Sequence, residues 1–372
     1  MRVLFWSLTF WPNIGGMEVH AARLLPCLRD LGHEFLVVAP QNYTNLPDTD
    51  SYRGIPVRRL PFQHAAIPTV EHVADVRAKV MALKREFKPD LVHVNGIGAM
   101  DFFHLSTAHA HPAPSLVTLH GDWGALGDAV AAPTLRRADW VVGCSAAILA
   151  RGRQVAPSIA ARSSVIHNGV DPADAPFVVN VREPRLLYVG RLAREKGADV
   201  VVETFARVRQ SVPGATLTVA GEGPLRAELE QRALALGVRE AIAFTGWMLP
   251  DRVTSLIGEH AVVLMPSLQD SFPLVALEAG LMARPLVASR VGGLPEIVVD
   301  GETGLLVEAG DVVGFAAAVS GLLADPVAAQ RMGRAARKRI EAQFRWQQHV
   351  ASYHALYRAL ARRPQQVRAG TA

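Results

Sequence analysis

Short apolar runs alternate with helix-length periodic segments along almost the whole chain. That alternation restricts it to parallel sheets covered by helices on both faces. In the first half, strands are expected near Val3–Trp6, Glu34–Ala39, Val57–Leu60, Leu91–Val94, Ser115–Leu119, Trp140–Cys144 and Val165–Ile166. Helices are expected over Met17–Leu31, Val70–Phe87, Asp128–Arg137 and Ala146–Val155. In the second half the strands are Arg185–Val189, Thr216–Ala220, Ile242–Thr245, Ala261–Met265 and Leu286–Ser289. The helices there are Gly197–Gln210, Pro224–Leu236, Asp251–Gly258, Phe272–Met282, Asp311–Leu323 and Val327–Gln343. At 372 residues the chain exceeds one ordinary core, so two domains are expected. Pro172, Pro176 and Pro184 mark a segment without a long apolar run, which reads as the linker. The fold class is therefore α/β, with two Rossmann-like doubly wound domains over residues 1–172 and 184–344. Residues 345–362 place Val350, Tyr353, Leu356, Tyr357 and Leu360 on one face, an amphipathic helix that must dock. The last ten residues are read as disordered.

Half of the residues are hydrophobic and a fifth are charged, as in a soluble globular protein. The net charge of +5 favours anionic ligands without selecting one. Basic residues cluster at Arg331–Arg339 and Arg358–Arg363, either as a solvated helix face or as contact with an acidic membrane surface or acceptor. Two cysteines, Cys27 and Cys144, make neither a disulfide framework nor a metal set, and fit a reducing cytosol. The apolar start, Val3 to Trp11, has no small-residue cleavage site and reads as a buried strand rather than a leader. No run reaches the length of a membrane span.

Two stretches carry chemistry. The first runs from Pro266 to Gly280 and holds two carboxylates, Asp270 at a loop-to-helix junction and Glu278 inside an apolar helix. A carboxylate between Leu277 and Ala279 does not serve packing, because burying it without a partner costs several kcal/mol. Asp270 or Ser271 is expected to cap the helix, with Pro273 in the first turn. The second stretch, Gly190-Arg191-Leu192-Ala193-Arg194-Glu195-Lys196-Gly197, follows a strand and precedes a helix. Its glycine turn and cations suit a diphosphate, which Arg grips with two oxygens and Lys as a point charge.

Together these stretches resemble the donor site of the retaining, nucleotide-sugar-dependent glycosyltransferases of family four, which have the GT-B fold. Further motifs fall in the family's order: Gly15-Gly16-Met17-Glu18, His120-Gly121-Asp122, His167-Asn168-Gly169-Val170-Asp171 and Gly221-Glu222-Gly223-Pro224. Gly292-Gly293-Leu294-Pro295-Glu296-Ile297-Val298 and Gly301 to Val307 match as well. The resemblance implies that the two domains face a cleft and that the last helix crosses back onto the first.

It also implies roles. Arg191 and Lys196 hold the leaving diphosphate, while Arg194 faces solvent. Glu278 accepts from the ribose hydroxyls. Asp270, where the family mostly has Glu, contacts the donor sugar, and His120 lies near that sugar. The backbone N–H groups of Ser271, Phe272 and Leu274, with Gly16, Gly190, Gly221, Trp247 and Met248, complete the donor side. Gly15, Asp122, Ser145 and Asn168 are placed on the acceptor side. Glu18 reads as a first-turn acid.

No metal and no other cofactor is expected. Asp48-Thr-Asp50 spells a metal-binding pattern of another glycosyltransferase fold but sits in a polar loop, read here as surface; His109 and His111 read as loop residues. The chain is thus read as transferring a hexose or N-acetylhexosamine from a nucleoside-diphosphate sugar, UDP ahead of GDP, to an acceptor hydroxyl. The acceptor is a small molecule or a lipid-linked one, chosen by loops 41–54, 61–70 and 97–114. No nucleic acid partner is expected. The site of action is the cytoplasm, with peripheral contact at the inner membrane face as a further expectation. The rival enzyme readings are a phosphorylase or epimerase of the same fold; the rival binding module is a catalytically weak sugar-nucleotide-binding partner subunit.

Overall fold

The computed structural model describes every residue except 14, 42–45, 63–68, 122, 124–126, 172–182 and 363–372. The chain divides into two compact units: Met1–Ile166 with Val350–Ala372, and His167–His349. The division falls before the proline segment because Val170 bridges Arg345, and His167 O accepts from His349 Nδ1 at 2.6 Å. Residues 172–182 of the expected linker, and the tail read as disordered, lie outside the described residues.

The first unit is built on β1 (Arg2–Ser7), β2 (Glu34–Pro40), β3 (Thr49–Tyr52), β4 (Ile55–Leu60), β5 (Leu91–Asn95), β6 (Ser115–Leu119), β7 (Trp140–Gly143) and β8 (Ser163–Val165). Their order across the sheet is β3-β4-β2-β1-β5-β6-β7-β8. Every pairing is parallel except β3 with β4. Leu4, Phe5, Trp6, Val37, Val38, Val92 and Val94 are buried, as strands covered on both faces require. Helices α1 (Gly16–Asp30), α2 (Val70–Phe87), α3 (Asp101–Ser106), α4 (Asp128–Arg137) and α5 (Ala146–Val155) connect them. Thr69 caps α2, its Oγ1 accepting from His72 N at 3.1 Å.

The second unit orders its strands β11-β10-β9-β12-β13-β14, all parallel. They are β9 (Arg185–Val189), β10 (Thr216–Ala220), β11 (Ile242–Gly246), β12 (Val262–Met265), β13 (Leu286–Ser289) and β14 (Gly304–Val307). Its helices are α6 (Ala198–Ser211), α7 (Arg226–Ala235), α8 (Pro250–Gly258), α9 (Leu274–Leu281), α10 (Leu294–Ile297), α11 (Val312–Ala324) and α12 (Pro326–Gln343). Leu186, Val201, Phe205, Val262, Phe315 and Val319 form its core at under 2% exposure. Each such side chain contributes about 1.5–3 kcal/mol by leaving water.

The last helix, α13 (Trp346–Ala361), seats Tyr353 and Tyr357 inside the first unit. Tyr357 Oη lies 2.6 Å from His93 Nδ1, and Tyr353 Oη lies 3.2 Å from Thr118 Oγ1. His93 also meets Thr118 through Nε2 at 2.8 Å, and burial holds its pKa down to about 3.

Three differences from the sequence expectation have local causes. Asp48-Thr-Asp50 is not wholly loop: Thr49 and Asp50 begin the antiparallel edge strand β3, and Asp50 Oδ2 receives the buried Arg59 at 2.8 Å. β14 offers only the apolar run of Leu305, Leu306 and Val307 behind a glycine turn and was not expected, and α3 and α10 are one or two turns long. Helix α9 starts at Leu274 with Pro273 in the cap position and no side-chain cap. Asp270 and Ser271 are therefore not its caps, and Asp270 spends its carboxylate elsewhere. Among the described residues no single helix is long and apolar enough to cross a membrane.

Candidate active site

In each doubly wound sheet the strand order reverses at one point, and ligands bind outside the carboxyl ends of the strands there. In the second unit that point lies between β9 and β12. The turn after β9 carries Gly190 to Lys196; the loop after β12 carries Pro266 to Pro273. Lys196 Nζ reaches across and lies 2.8 Å from Asp270 Oδ2. Asp270 is 9% exposed at its side chain and Lys196 31%. Ser267 Oγ donates to the same carboxylate oxygen at 3.2 Å. A nearly buried carboxylate thus has its counter-charge, and its ammonium partner keeps solvent access at the switch point.

Backbone ties hold both sides. Tyr188 Oη donates to Arg191 O at 2.9 Å and to Lys196 O at 3.4 Å, which staples the cationic turn to the end of β9. Burial, followed by the charges of Asp270, Glu195 and Asp199, pushes the Tyr188 phenol up, so it stays a neutral donor. Leu268 N and Gln269 N donate to Glu195 O at 2.9 and 3.2 Å. Gly293 N donates to Asp270 O at 3.1 Å. Gly292 takes φ +52°, and a Cβ there would stand 1.8 Å from Asp270 O, so only glycine lets this turn close on the Asp270 backbone. The sequence reading recognised neither Tyr188 nor Gly292 as the supports of this pair. A buried Tyr at the end of a strand was the only signal for the first.

Arg191 is 65% exposed and pairs with Glu195 on the same turn. Such exposed pairs are worth about 0–1 kcal/mol, so a phosphate can displace Glu195 cheaply. Arg194 is exposed, as expected. Gly190 and Gly221 pack strand end on strand end: Gly221, at φ +148°, would place a Cβ 1.9 Å from Gly190 O. Gly221 N donates to Gly246 O at 2.9 Å, which brings the loop bearing Trp247 and Met248 alongside. Trp247 is 49% exposed there, and Met248 is half-buried.

Phe272 is buried and stacks on His167 at 4.8 Å between ring centres. His167 Nε2 lies 2.9 Å from Glu296 Oε2. Leu274 opens α9, where first-turn N–H groups have no intrahelical acceptor. Glu278 is half-buried on α9 rather than sealed in the core. Asn168, expected on the acceptor side, belongs to this second unit, where its Nδ2 donates to Phe272 O at 3.1 Å. It braces the loop after β12.

In the first unit the order reverses between β1 and β5. Here His120, after β6, meets Asn95 Oδ1 through Nε2 at 2.7 Å, and Asn95 Nδ2 donates to Ser7 Oγ at 3.3 Å. With Asn95 Oδ1 as the acceptor, Nε2 is the donor of that bond. Asn95, fully buried at the end of β5, is an orienting residue that the sequence reading missed. The His20 ring packs 4.9 Å from His120. Gly15 and Gly16 lead into α1: a Cβ on Gly16 would meet nothing within 4 Å, whereas one on Gly15 would meet the Glu18 carboxylate at 2.6 Å. Glu18 therefore covers Gly15 and opposes an anion there, while Gly16 stays open. Ser145 is fully buried and caps α5, accepting from Ile148 N at 3.2 Å, which removes it from any exposed acceptor surface. Asp122 lies outside the described residues. Asp50 is held by Arg59, and Asp48 by Gln41 Nε2 at 2.5 Å.

Residues 14–174 match the family described as Glycosyltransferase Family 4, and residues 183–325 match Glycosyl transferases group 1. The chain is 33% identical to a glycogen synthase of Mycobacterium tuberculosis, over 97% of this chain and 95% of that protein. It is 28% identical to an alpha-maltose-1-phosphate synthase of the same organism, over 93% of this chain and 96% of that one. Among solved structures it superposes on Anabaena HepE in complex with UDP with a TM-score of 0.82, at 21% identity over 97% of this chain and 100% of the other. It superposes on a sucrose-phosphate synthase of Thermosynechococcus elongatus with a TM-score of 0.81, at 23% identity over 96% and 98% of the two chains.

Proposed function

The chain belongs to the family-four glycosyltransferases of the GT-B fold, and we propose that within that family it is a retaining, metal-independent enzyme. It moves a hexose or N-acetylhexosamine from a nucleoside-diphosphate sugar, with UDP ahead of GDP, to an acceptor hydroxyl. The observation that carries this reading is the Lys196–Asp270 pair at the strand-order switch point of the second unit. UDP is favoured because HepE, of the same fold, has been solved with UDP and with UDP-glucose.

In this reading the bond from the anomeric carbon to the leaving diphosphate breaks as the acceptor oxygen bonds to the same face. The acceptor proton passes to the departing diphosphate oxygen. Negative charge grows on that diphosphate, and Lys196 and Arg191 meet it with fixed cations. Lys196 has three donors, so it holds Asp270 and a phosphate oxygen at once. Asp270 aims at the sugar hydroxyls, and Glu278 accepts from the ribose. The first unit's candidate for the sugar is His120, whose Nε2 is engaged by Asn95 Oδ1.

The test is a panel of UDP, GDP, ADP and dTDP sugars, read first by thermal shift and then by product mass. Shift and turnover with one nucleotide support the reading. Binding without turnover or donor hydrolysis would leave only a sugar-nucleotide-binding module.

A further inference from the structure

β1 and β2 run parallel, so Arg2 and Glu34 start them at one edge of the first sheet, opposite the carboxyl ends where the switch point lies. Between that edge and the end of α13 is a cavity of about 450 Å³, the size of a small-ligand site. The ionisable side chains that line it are all basic: His33, just before β2, with His354, Arg358 and Arg362. His354 and Arg358 share one face of α13, and Arg362 follows a turn later. Arg363, the last of the basic cluster in the sequence, lies outside the described residues. The neighbouring carboxylates are engaged elsewhere: Asp30 pairs with Arg29 at 3.0 Å and Glu34 with Arg2 at 3.9 Å.

Among the described residues Arg358 and Arg362 make no ion pair and no hydrogen bond, and both are exposed. His33 is 5% exposed. Its Nε2 lies 2.9 Å from His354 Nδ1, and its Nδ1 has no hydrogen-bond partner. Burial, followed by the positive charges around it, holds its pKa down to about 4. A helix C-terminus favours a cation in its last turn, which accounts for Arg358 by itself. It does not account for two guanidinium groups and an imidazole pair around one cavity with no acid among them.

We propose that this cavity binds a phosphomonoester dianion, held by Arg358, Arg362 and His354. A guanidinium takes two phosphoryl oxygens at once, and two of them balance a dianion where a carboxylate would leave one charge unmatched. The bond to His33 engages His354 Nδ1 and leaves its Nε2 for the ligand. Gly16 and His120 follow strands β1 and β6 at the opposite edge of the sheet. A ligand of this cavity is therefore neither donor nor acceptor of the proposed transfer, and its binding is independent of that reaction. It would join the end of α13 to the start of β2 and so stabilise the first unit.

Glycerol 3-phosphate and inorganic phosphate are titrated by calorimetry, without donor, into the full chain and into its Arg358→Gln/Arg362→Gln, His354→Gln and Lys196→Ala variants. We expect saturable binding of glycerol 3-phosphate, weakened about tenfold or more in the double variant and less in His354→Gln. Lys196→Ala, which disables the candidate diphosphate site of the second unit, should keep this binding. Glycerol 3-phosphate should raise the melting temperature of the wild-type chain and leave that of the folded double variant where it is. No binding by the wild-type chain, equal binding by the double variant, or loss of binding in Lys196→Ala instead overturns the site. Sedimentation with mixed phosphatidylcholine–phosphatidic acid vesicles, with no glycerol 3-phosphate bound, would give these cations to a lipid surface and overturn it as well.

Discussion

Lys196 Nζ and Asp270 Oδ2 stand 2.8 Å apart although 74 residues separate them in the chain. Each sits on a loop at the carboxyl end of a strand, one on either side of the place where the sheet order reverses. The sequence reading gave the two residues separate tasks, diphosphate for Lys196 and sugar for Asp270. The ion pair joins them, so a change in one alters the other.

Lys196→Ala is expected to cost about 2–4 kcal/mol in kcat/KM, the loss seen when a donor to a developing anion is removed. Asp270→Asn should also weaken diphosphate binding, because it frees Lys196 from its fixed position. The double variant should lose less than the sum of the two by about 1 kcal/mol or more. Steady-state kinetics and diphosphate titrations of all four proteins check this; additive losses would show that the pair does not act as a unit.

Glu278→Gln preserves shape and removes charge. Affinity for the free nucleoside diphosphate should fall by about 1.5–3 kcal/mol, the range for hydrogen bonds to a charged group. Calorimetry that finds the affinity unchanged in a folded variant removes Glu278 from the ribose.

Gly292→Ala forces a residue with a Cβ into φ +52° and against Asp270 O. We expect a stability loss of more than about 1 kcal/mol, because the native conformation does not accept alanine. Turnover measured well below the melting temperature should fall as well, since the Asp270 backbone must move. A variant that melts lower but turns over normally would confine Gly292 to folding.

Acid should loosen the first unit before the second. His93 is held down to about 3 and His33 to about 4, and His104 well below the usual histidine value, all chiefly by burial. An unfolded chain takes up protons on these rings below about 6.5, and the folded one does not. Their stabilisation is full above about 6.5 and is lost as pH falls, by up to about 1.4 kcal/mol per pH unit for each ring. Asp101, pushed up to about 7 by burial, works the other way: it stabilises when protonated, and that contribution is lost as pH rises through about 7. Three rings outweigh one carboxyl. Urea midpoints should therefore drop between pH 7 and pH 5, less steeply in His93→Gln; midpoints that rise toward acid would contradict this.

The sheets were legible because β9, β12 and β13 are nearly continuous apolar runs that end at glycine or polar turns. The helix α9 was legible in place but not in its start, because Pro273 takes the cap position and Asp270 is drawn away by Lys196. β3 escaped notice because Thr49-Asp-Ser-Tyr has no apolar face; pairing with β4 and the Arg59 contact make it a strand. The cations and carboxylates of the donor side were visible as types. What holds them was not: Tyr188 acts on backbone carbonyls of the turn that follows its own strand, while Gly292 and Asn95 act through contacts between segments far apart in sequence. Ser145 and Asn168 look like ligand groups in a motif, yet each spends its side chain on the backbone, as a cap and as a brace.

We propose transfer with retention from a nucleotide sugar without metal. Proton NMR of a reaction run in excess chelator, with a UDP-sugar and an acceptor, follows the new anomeric signal before mutarotation. We expect turnover in chelator and a product anomer of the same configuration as the donor. An inverted anomer, or activity that vanishes in chelator and returns with a divalent cation, would contradict it.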